Sequence, residues 1–370
     1  MNAHPLVFSL AAATLCLTAA IPAADQPRAG EFRLSGPYTK DNLTIYLVHG
    51  NDRIKGVTYL TLQEALAQKK VIVHETGDVN QLAIENVSGD TVYVQSGDIV
   101  KGGQQDRTIA SDFICPPHSG KMPINAFCVE HGRWTARGGE SAGLFGSSEN
   151  SVAGKDLKLA AVYKSDQGAV WQQVAANQDK LSDKLKVTVN DPQSATSFQL
   201  ALENKKLQEA MDGYVKELTE IVEGKPDTIG YAFALNGKVN SADVYASHEL
   251  FRKLWPKLLK SASVEAIAEN QQGIKFDPAK PQAVQACVED AEKGKAAEST
   301  RDVTPRVSVK TRETRENVLL ETTDRQQPGA WVHRSYITKD QPSEPGTEAQ
   351  PARGGGLEEQ QPQAPNPPAR

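Results

Sequence analysis

Apolar residues recur at two different periods along the chain, and these periods predict strands and helices. Leu43, Ile45 and Leu47 occupy every second position, which is typical of a strand. Brief β-rich runs separated by Gly, Asp and Ser turns follow, so we predict about six or seven strands between residues 42 and 134. The clearest of these runs lie at residues 71–75, 82–86 and 91–96.

Helical patterns are interleaved with the strands. Thr61 and Glu64 have the spacing of a capping box and predict a short helix, and a second helix is predicted near residues 166–183. Asp191-Pro192 then resembles a helix start. The apolar stripe expected in that helix should pack on the chain's own sheet, and it comprises Leu207, Met211, Tyr214, Leu218 and Ile221.

The last third of the chain returns to β-rich patterns. Alternation around Asn236-Gly237 predicts a β-hairpin over residues 228–246. A helix should begin at Ser247 and break or restart at Pro256, and another is predicted at about residues 281–293. Three β-like runs, which either complete the sheet or form a small sheet of their own, begin at Val307, Val318 and Trp331.

These elements predict an α+β fold, an antiparallel β-rich sandwich-like domain with packed helices and a β-hairpin. Regular βαβ alternation is absent, which argues against a doubly wound sheet. The predicted organisation has residues 1–24 as a signal peptide, 25–40 as an N-terminal arm, 41–270 as the main domain, 271–340 as a C-terminal helix and β extension, and 341–370 as a disordered Pro/Gln/Glu-rich tail. Within the main domain, the parts are a β-rich part (41–134), a Gly/Ser loop (135–156) and a helical and hairpin part (157–270).

Composition bears mainly on cellular location. The first two dozen residues contain an apolar run of signal-peptide length followed by Ile21-Pro22, which predicts cleavage after Ala23 or Ala24 and export to the periplasm or the extracellular space. No later segment is apolar enough to predict a membrane span. The net charge of −5 argues against nucleic acid as a general partner.

Three cysteines remain after the leader: Cys115, Cys128 and Cys287. A hairpin centred near residues 121 and 122 would bring Cys115 opposite Cys128 and permit a disulfide. Three reduced and buried thiols explain the same residues equally well. Both interpretations remain open.

Charged residues are densest at the two ends of residues 96–134. If two strands bring these ends together, Gly97–Arg107 meets Glu130–Trp134. In that arrangement a polar ligand would be bound by Lys101, Gln105, Arg107, Arg133 and Trp134. Asp106 and Glu130 could serve as general bases. The competing interpretation is a scaffold in which the carboxylates pair with the arginines.

Other chemistries receive less support from the sequence. A dyad of Cys128 and His131 is disfavoured because their side chains should point to opposite faces of a strand. No histidine pair has recognised ligand spacing, so no metal site is predicted. A Walker A loop is also absent from the sequence.

Several segments together resemble the domain family named for its association with ADP-ribosylglycohydrolase and rhodanese-phosphatase proteins. They include Gly97-Asp-Ile-Val-Lys-Gly-Gly-Gln-Gln-Asp-Arg, Cys115-Pro-Pro-His-Ser-Gly and Phe127-Cys-Val-Glu-His-Gly-Arg-Trp. The resemblance runs from about residue 40 to about residue 265, and it implies domain limits and a central motif without supplying a mechanism. Its name links the family to ADP-ribose or phosphate chemistry only by association.

Three functional hypotheses follow. The first is an exported domain that binds a phosphorylated or sugar-containing ligand at the Gly97–Arg107/Glu130–Trp134 cluster. The second is a hydrolase that uses Asp106 or Glu130 as general base, for which one carboxylate needs a raised pKa. The third is an envelope interaction protein without a small ligand. The sequence implies no particular cofactor or oligomeric state.

Overall fold

The longest sheet joins the two halves of the chain. A computed structural model describes residues 28–327 and 331–339, and these form one compact unit that ends at Lys339. Strands from both ends of that unit make a nine-stranded sheet in which every neighbouring pair is antiparallel. In spatial order these strands are β1 (Arg28–Ala29), β2 (Phe32–Lys40), β3 (Leu43–His49), β13 (Thr228–Leu235), β14 (Lys238–Tyr245), β18 (Trp331–Thr338), β17 (Asn317–Asp324), β16 (Val307–Glu313) and β15 (Lys295–Asp302).

A closed six-stranded barrel is formed by strands from residues 71–152. Its strands in spatial order are β11 (Gly120–Cys128), β6 (Gln81–Asn86), β5 (Val71–Glu75), β12 (Leu144–Val152), β8 (Asp98–Gly102) and β9 (Arg107–Ile109). A further sheet of three short strands contains β10 (Phe113–Cys115), β7 (Thr91–Val94) and β4 (Tyr59–Thr61), in that order. The β4–β7 pair is parallel.

Seven α-helices connect and cover the sheets in the described residues. They are α1 (Leu62–Ala67), α2 (Lys155–Lys158), α3 (Gln167–Leu185), α4 (Phe198–Leu202), α5 (Lys205–Leu218), α6 (His248–Glu269) and α7 (Pro281–Lys293). Helix α1 starts at the predicted capping box, because Thr61 accepts from the Glu64 N–H and Glu64 accepts from the Thr61 N–H. A π-helical segment (Leu159–Tyr163) follows α2, and a 3₁₀ turn (Thr219–Val222) follows α5.

The predicted α+β class, with antiparallel β-rich sheets, packed helices and a β-hairpin, is confirmed. Four members of the predicted stripe are buried on α5: Leu207, Met211, Tyr214 and Leu218. The hairpin of β13 and β14 turns at Asn236-Gly237, where both residues have positive φ. The three C-terminal β-runs complete the nine-stranded sheet.

Several local expectations were wrong, each because tertiary contacts override a local signal. Residues 135–156 are not a continuous loop, since strand β12 uses their small residues to close the barrel. Strand β2 lies within the predicted N-terminal arm. Asp191 caps no helix, because its carboxylate accepts from the Gln193 N–H in a turn. The helical starts are instead capped by Ser197 and Asn204.

Pro256 does not interrupt α6, which runs without a break from His248 to Glu269. Trp255, Leu258 and Leu259 surround the proline and are all buried. Packing of these side chains outweighs the cost of an interior proline, about 3 kcal/mol. The whole helix therefore stays available to cover the large sheet.

The apolar interior has two parts. The larger core fills the space between the nine-stranded sheet and helices α3, α5, α6 and α7. The smaller core lies inside the barrel and includes Val73, Ile84, Val100, Ile109 and Phe145. The nine-stranded sheet and the barrel therefore hold the polar side chains at the ends of these two cores in position.

The predicted signal peptide, the disordered tail and the first residues of the predicted arm lie outside the described residues. Among the helices at residues 28–327 and 331–339, none combines the length and the apolar character needed to cross a bilayer.

Candidate functional site

The sequence-predicted cluster lies at one end of the barrel, where β8 and β11 end and β9 begins. Strand β11 pairs with β9 and places Cys128 opposite Arg107, so the two charged ends of residues 96–134 do approach each other. They separate into two groups, however. Asp106, Glu130 and Arg133 form one network, and Arg107 and Trp134 form another.

In the first network, two buried carboxylates meet two arginines. Arg133 binds Glu130 through two N–H groups, with Nε 2.7 Å from Oε1 and Nη2 2.7 Å from Oε2. Arg137 binds Asp106 in the same bidentate way, with Nη1 2.9 Å from Oδ2 and Nη2 3.0 Å from Oδ1. Ser197 Oγ adds a hydrogen bond of 2.7 Å to Asp106 Oδ2. Asp106 and Glu130 are 0% exposed.

Burial and hydrogen bonding act in opposite directions on the charges of Glu130 and Arg137. Burial opposes the charge on Glu130, but hydrogen bonds from Arg133 and from the backbone N–H of Asp106 outweigh it and lower the pKa of Glu130. Burial likewise opposes the charge on Arg137, while Asp106 raises the pKa of that guanidinium. A carboxylate with a lowered pKa is a weak base, which disfavours Glu130 as a general base. Asp106 is held by two N–H groups of Arg137 and by Ser197, so the contacts favour the scaffold interpretation of both carboxylates.

Lys101 and Gln105 take different positions from those expected of ligand-binding groups. Lys101 Nζ binds Glu203 Oε1 at 2.6 Å and lies 3.6 Å from Glu140 Oε1. The backbone carbonyl of Gln105 accepts from Arg107 Nη1 at 2.7 Å. Lys101 therefore extends the ion-pair network on the surface, and Gln105 supports Arg107 through its main chain.

Arg107 shares a strand face with Ile109, whose side chain packs inside the barrel. It is 0% exposed, and its Nη2 lies 3.6 Å from Glu75 Oε2. Its Nε and Nη2 atoms lack hydrogen-bond acceptors among the described residues. The Trp134 ring, whose centroid is 5.9 Å from the guanidinium carbon, is 45% exposed. A buried cation under an exposed indole thus marks this end of the barrel.

The hairpin that would have joined Cys115 to Cys128 does not form. Strand β10 pairs with β7, whereas β11 pairs with β6 and β9, so the two cysteines belong to different sheets. Both are buried free thiols. Burial raises the pKa of Cys115, and it raises that of Cys128 to about 11, so the thiols stay protonated at neutral pH. His131 packs edge-on against Trp171.

A second polar centre, which the sequence did not reveal, is built on β14 and β18, two neighbouring strands of the large sheet. His333 on β18 is 1% exposed and contacts a carboxylate with each ring nitrogen. Its Nδ1 is 2.8 Å from Asp112 Oδ2, and its Nε2 is 3.1 Å from Asp243 Oδ1. Lys158 Nζ lies 3.2 Å from Asp243 Oδ2 and balances the second carboxylate. The Tyr245 ring stacks on the imidazole with its centroid 4.5 Å away.

This arrangement makes His333 an imidazolium at neutral pH. Burial alone would lower its pKa, but the charges and hydrogen bonds of Asp112 and Asp243 raise the pKa to about 9. The same contacts overcome burial at Asp112 and lower its pKa to about 2. Both imidazole N–H groups donate to carboxylates, so neither is available to transfer a proton. His333 therefore serves as a fixed charge.

A cavity of about 410 Å³ opens beside this centre. Asp112 and His333 reach its wall, and Arg301 on β15 lies at its rim and donates to Ser111 Oγ. The remaining polar wall consists largely of hydroxyl groups, from Ser96, Ser111, Tyr163, Thr300, Thr311, Thr322 and Ser335. The described residues contain no group of three or more His, Cys, Asp or Glu side chains arranged to bind a metal ion.

A sequence signal for this centre does exist, although it is weak. Asp243 stands between Ala242 and Val244 on a strand whose two faces are both buried, and His333 follows Val332 in a similar setting. A charged residue at such a position needs a partner. The partners come from segments more than 80 residues apart, with 85 residues between Lys158 and Asp243 and 221 between Asp112 and His333.

Comparison with protein-family models gives a match over residues 31–337 to ARPP-1, the ARG and Rhodanese-Phosphatase-superfamily-associated Protein domain. The matched region extends beyond the stretch that carried the sequence resemblance and includes β2, α7 and the four C-terminal strands. No curated protein and no solved structure matches the chain. The comparison therefore gives a family without an established activity.

Proposed function

The chain belongs to the family of ARG and Rhodanese-Phosphatase-superfamily-associated Protein domains, and from this premise we propose that it binds a small polar ligand carrying an anionic group. The ligand would occupy the cavity beside Arg301 and His333. One observation carries this proposal: a cavity of about 410 Å³ is lined by hydroxyl groups and has a guanidinium at its rim without a carboxylate partner among the described residues.

The size and wall of the cavity suit a sugar phosphate. Small-molecule sites usually measure roughly 300–1,000 Å³. Serine and threonine hydroxyls can donate to and accept from the hydroxyls of a sugar. Val162, Val309 and Leu320 supply an apolar surface against which a sugar ring can pack. Both the volume and the lining of the cavity therefore suit a sugar phosphate.

Charge at the cavity favours an anion. The positive charges of His333 and Lys158 are balanced by Asp112 and Asp243, so this group is neutral overall. Arg301 adds a positive charge that is not balanced in the same way, and burial lowers the pKa of its guanidinium. A phosphate at the rim would give this group a charged hydrogen-bonding partner.

The test is a binding measurement with ribose 5-phosphate, ADP-ribose and inorganic phosphate, by calorimetry and by thermal shift. We expect ribose 5-phosphate to bind and to raise the Tm, and Arg301→Gln to weaken binding at least roughly tenfold. Arg325→Gln is the matched control, because Arg325 directly follows β17 and pairs with Asp302, the last residue of β15. Equal affinity in the Arg301 and Arg325 variants, or no binding by any of the three compounds, would refute the proposal.

The barrel end is a second candidate location, and the unpartnered Nε and Nη2 atoms of Arg107 favour it. A ligand anion there would have to displace the Trp134 ring from the guanidinium. Trp134→Phe should then strengthen binding, because a phenyl ring competes less strongly than the indole for the guanidinium, while Arg301→Gln should leave the affinity unaltered. The two locations are thus distinguished by the same titrations.

Export is a further part of the proposal, supported by the apolar leader that ends near Ala23 and Ala24. Fractionation of cells that express the full chain would test it. Recovery of a shortened protein outside the cytoplasm is the expected outcome, and a full-length cytoplasmic protein would contradict it.

A further inference from the structure

Three polar side chains on β2, on β3 and just before β13 form a chain of hydrogen bonds. Ser35 Oγ lies 2.7 Å from His49 Nε2, and His49 Nδ1 lies 2.9 Å from Asp227 Oδ1. The hydroxyl and the carboxylate thus contact the two different nitrogens of one imidazole. This order and these distances are those of a serine nucleophile, a general base and the carboxylate that orients the base.

Three neighbouring strands build this constellation. Ser35 is on β2 and His49 ends β3, two strands that pair with Arg33 opposite His49. Asp227 immediately precedes β13, whose first residue, Thr228, pairs with His49 from the other side. The Gly50 N–H also donates to the Asp227 carbonyl at 2.9 Å. Two members of the constellation are therefore placed by paired strands, and Asp227 is placed by the turn that leads into β13.

We propose that Ser35, His49 and Asp227 form a catalytic triad that hydrolyses small carboxylic esters. This activity is separate from ligand binding beside Arg301, because its residues lie on β2, β3 and the start of β13 and none of them lines the cavity.

The electrostatics suit the three roles. Burial lowers the pKa of His49, although Asp227 opposes this effect, so the imidazole is neutral and can accept a proton at neutral pH. Burial would raise the pKa of Asp227, but the His49 hydrogen bond and the Arg33 charge outweigh it and lower that pKa. Asp227 therefore remains an acceptor and selects the tautomer with the proton on Nδ1. Nε2 is then free to accept the Ser35 hydroxyl proton. Besides Asp227, the charged groups that act on His49 are Arg33 and Lys225, and both lower its pKa.

The nucleophile is more accessible than the base. Ser35 is partly exposed, whereas His49 is 5% exposed and protected. The Tyr38 hydroxyl lies 3.4 Å from Ser35 Oγ, and Lys225 Nζ lies 5.5 Å from the centroid of the Tyr38 ring. Tyr38 can therefore donate to an oxyanion that forms next to Ser35, with a positive charge nearby.

The reaction proceeds in two balanced steps. Ser35 Oγ attacks the ester carbonyl carbon while its proton passes to His49 Nε2, and the tetrahedral intermediate collapses as the alcohol leaves with that proton. Water then attacks the acyl-Ser35 ester and gives its proton to His49, and Ser35 takes the proton back as the carboxylic acid leaves. No oxidant, reductant or metal takes part in either step.

A fluorophosphonate probe tests the nucleophile directly, because it forms a stable adduct with an activated serine. We expect the full chain to gain one adduct, located on Ser35 by peptide mass spectrometry, and to hydrolyse p-nitrophenyl acetate. Ser35→Ala should lose both activities. Ser147→Ala is the matched control and should retain both, because Ser147 is equally partly buried but donates to a backbone carbonyl at 3.2 Å.

Two further variants separate catalysis from a structural role. Asp227→Asn should slow labelling by roughly 100-fold or more, as expected when the base loses its orienting carboxylate. Tyr38→Phe should slow ester turnover by roughly 100-fold if it donates to the oxyanion. Circular dichroism and the urea midpoint show whether each variant is folded. A folded wild-type protein without an adduct at Ser35, or a folded Asp227→Asn variant labelled at the wild-type rate, would overturn the proposal.

Discussion

The charge on His333 leads to a prediction that can be measured without changing the sequence. Its pKa is raised to about 9 in the folded protein, whereas an unfolded histidine titrates near 6.5. The folded state therefore binds a proton more tightly than the unfolded state does. The stabilisation from His333 is fully present below pH 6.5 and is lost as the pH rises through about 9.

The size of this contribution follows from the two pKa values. They differ by about 2.5, and each pKa unit corresponds to about 1.4 kcal/mol, so the full effect is roughly 3–4 kcal/mol. Between pH 6 and pH 8.5 we expect the loss of roughly 2 kcal/mol of unfolding free energy from this group. His49 contributes with the opposite sign, because its folded pKa is lowered.

Two assays measure the pH dependence of the unfolding free energy and the pKa of His333. Urea unfolding at several pH values between 6 and 8.5 gives the slope, and the chemical shift of the His333 Cε1–H group gives the pKa itself. Asp112→Asn provides the perturbation, since it removes the carboxylate 2.8 Å from Nδ1. In that variant the pKa of His333 should fall by about one unit or more, and the slope should decrease. A wild-type His333 that titrates near 6.5 would refute the reasoning.

Three other changes should have measurable effects on stability. Glu130→Gln should cost about 3 kcal/mol in a urea titration, because Arg133 keeps its charge and loses a bidentate partner; a cost below about 0.5 kcal/mol would contradict the scaffold role. Gly103→Ala should cost about 2 kcal/mol or more, because Gly103 has positive φ and a Cβ there would overlap the Phe145 ring; an unchanged midpoint would show that the ring moves at little cost. Glu265→Gln should stabilise the protein at pH 8 by about 1–3 kcal/mol and have little effect at pH 4.5, because burial raises the pKa of Glu265 from 4.5 to about 7 and ionisation then opposes folding; equal effects at both pH values would contradict this.

Local signals were sufficient for much of the secondary structure. The capping box of Thr61 and Glu64, the Asn236-Gly237 turn and the helix at Pro281–Lys293 were predicted from a few neighbouring residues, because each depends on contacts within one or two turns. Strand β12 was missed for the opposite reason. Its Gly and Ser residues resemble a loop, and only pairing with β5 and β8 makes them a strand.

The candidate site was harder to predict than the fold. Density of charge along the sequence correctly indicated that residues 96–107 and 130–134 meet, but it did not indicate how the charges are partnered. Asp106 and Glu130 are fully used by Arg133 and Arg137. A site was not predicted at single polar residues inside apolar strands, such as His333, because their partners are remote in sequence.

The number of hydrogen bonds already made by a polar group is therefore more informative than its proximity to other charges. A carboxylate whose oxygens all accept from arginines, as in Glu130, has little capacity left for a ligand or a proton. At Arg301 the situation differs, since this side chain lines a cavity that a small molecule can enter. Ser35 is likewise a partly exposed hydroxyl group beside an imidazole. A buried polar group whose hydrogen-bonding capacity is fully used has a structural role. A polar group that can still form a hydrogen bond and that lies beside accessible space indicates a binding site. This criterion favours the proposed sites at Arg301 and Ser35, both on the nine-stranded sheet, over the fully paired Asp106 and Glu130.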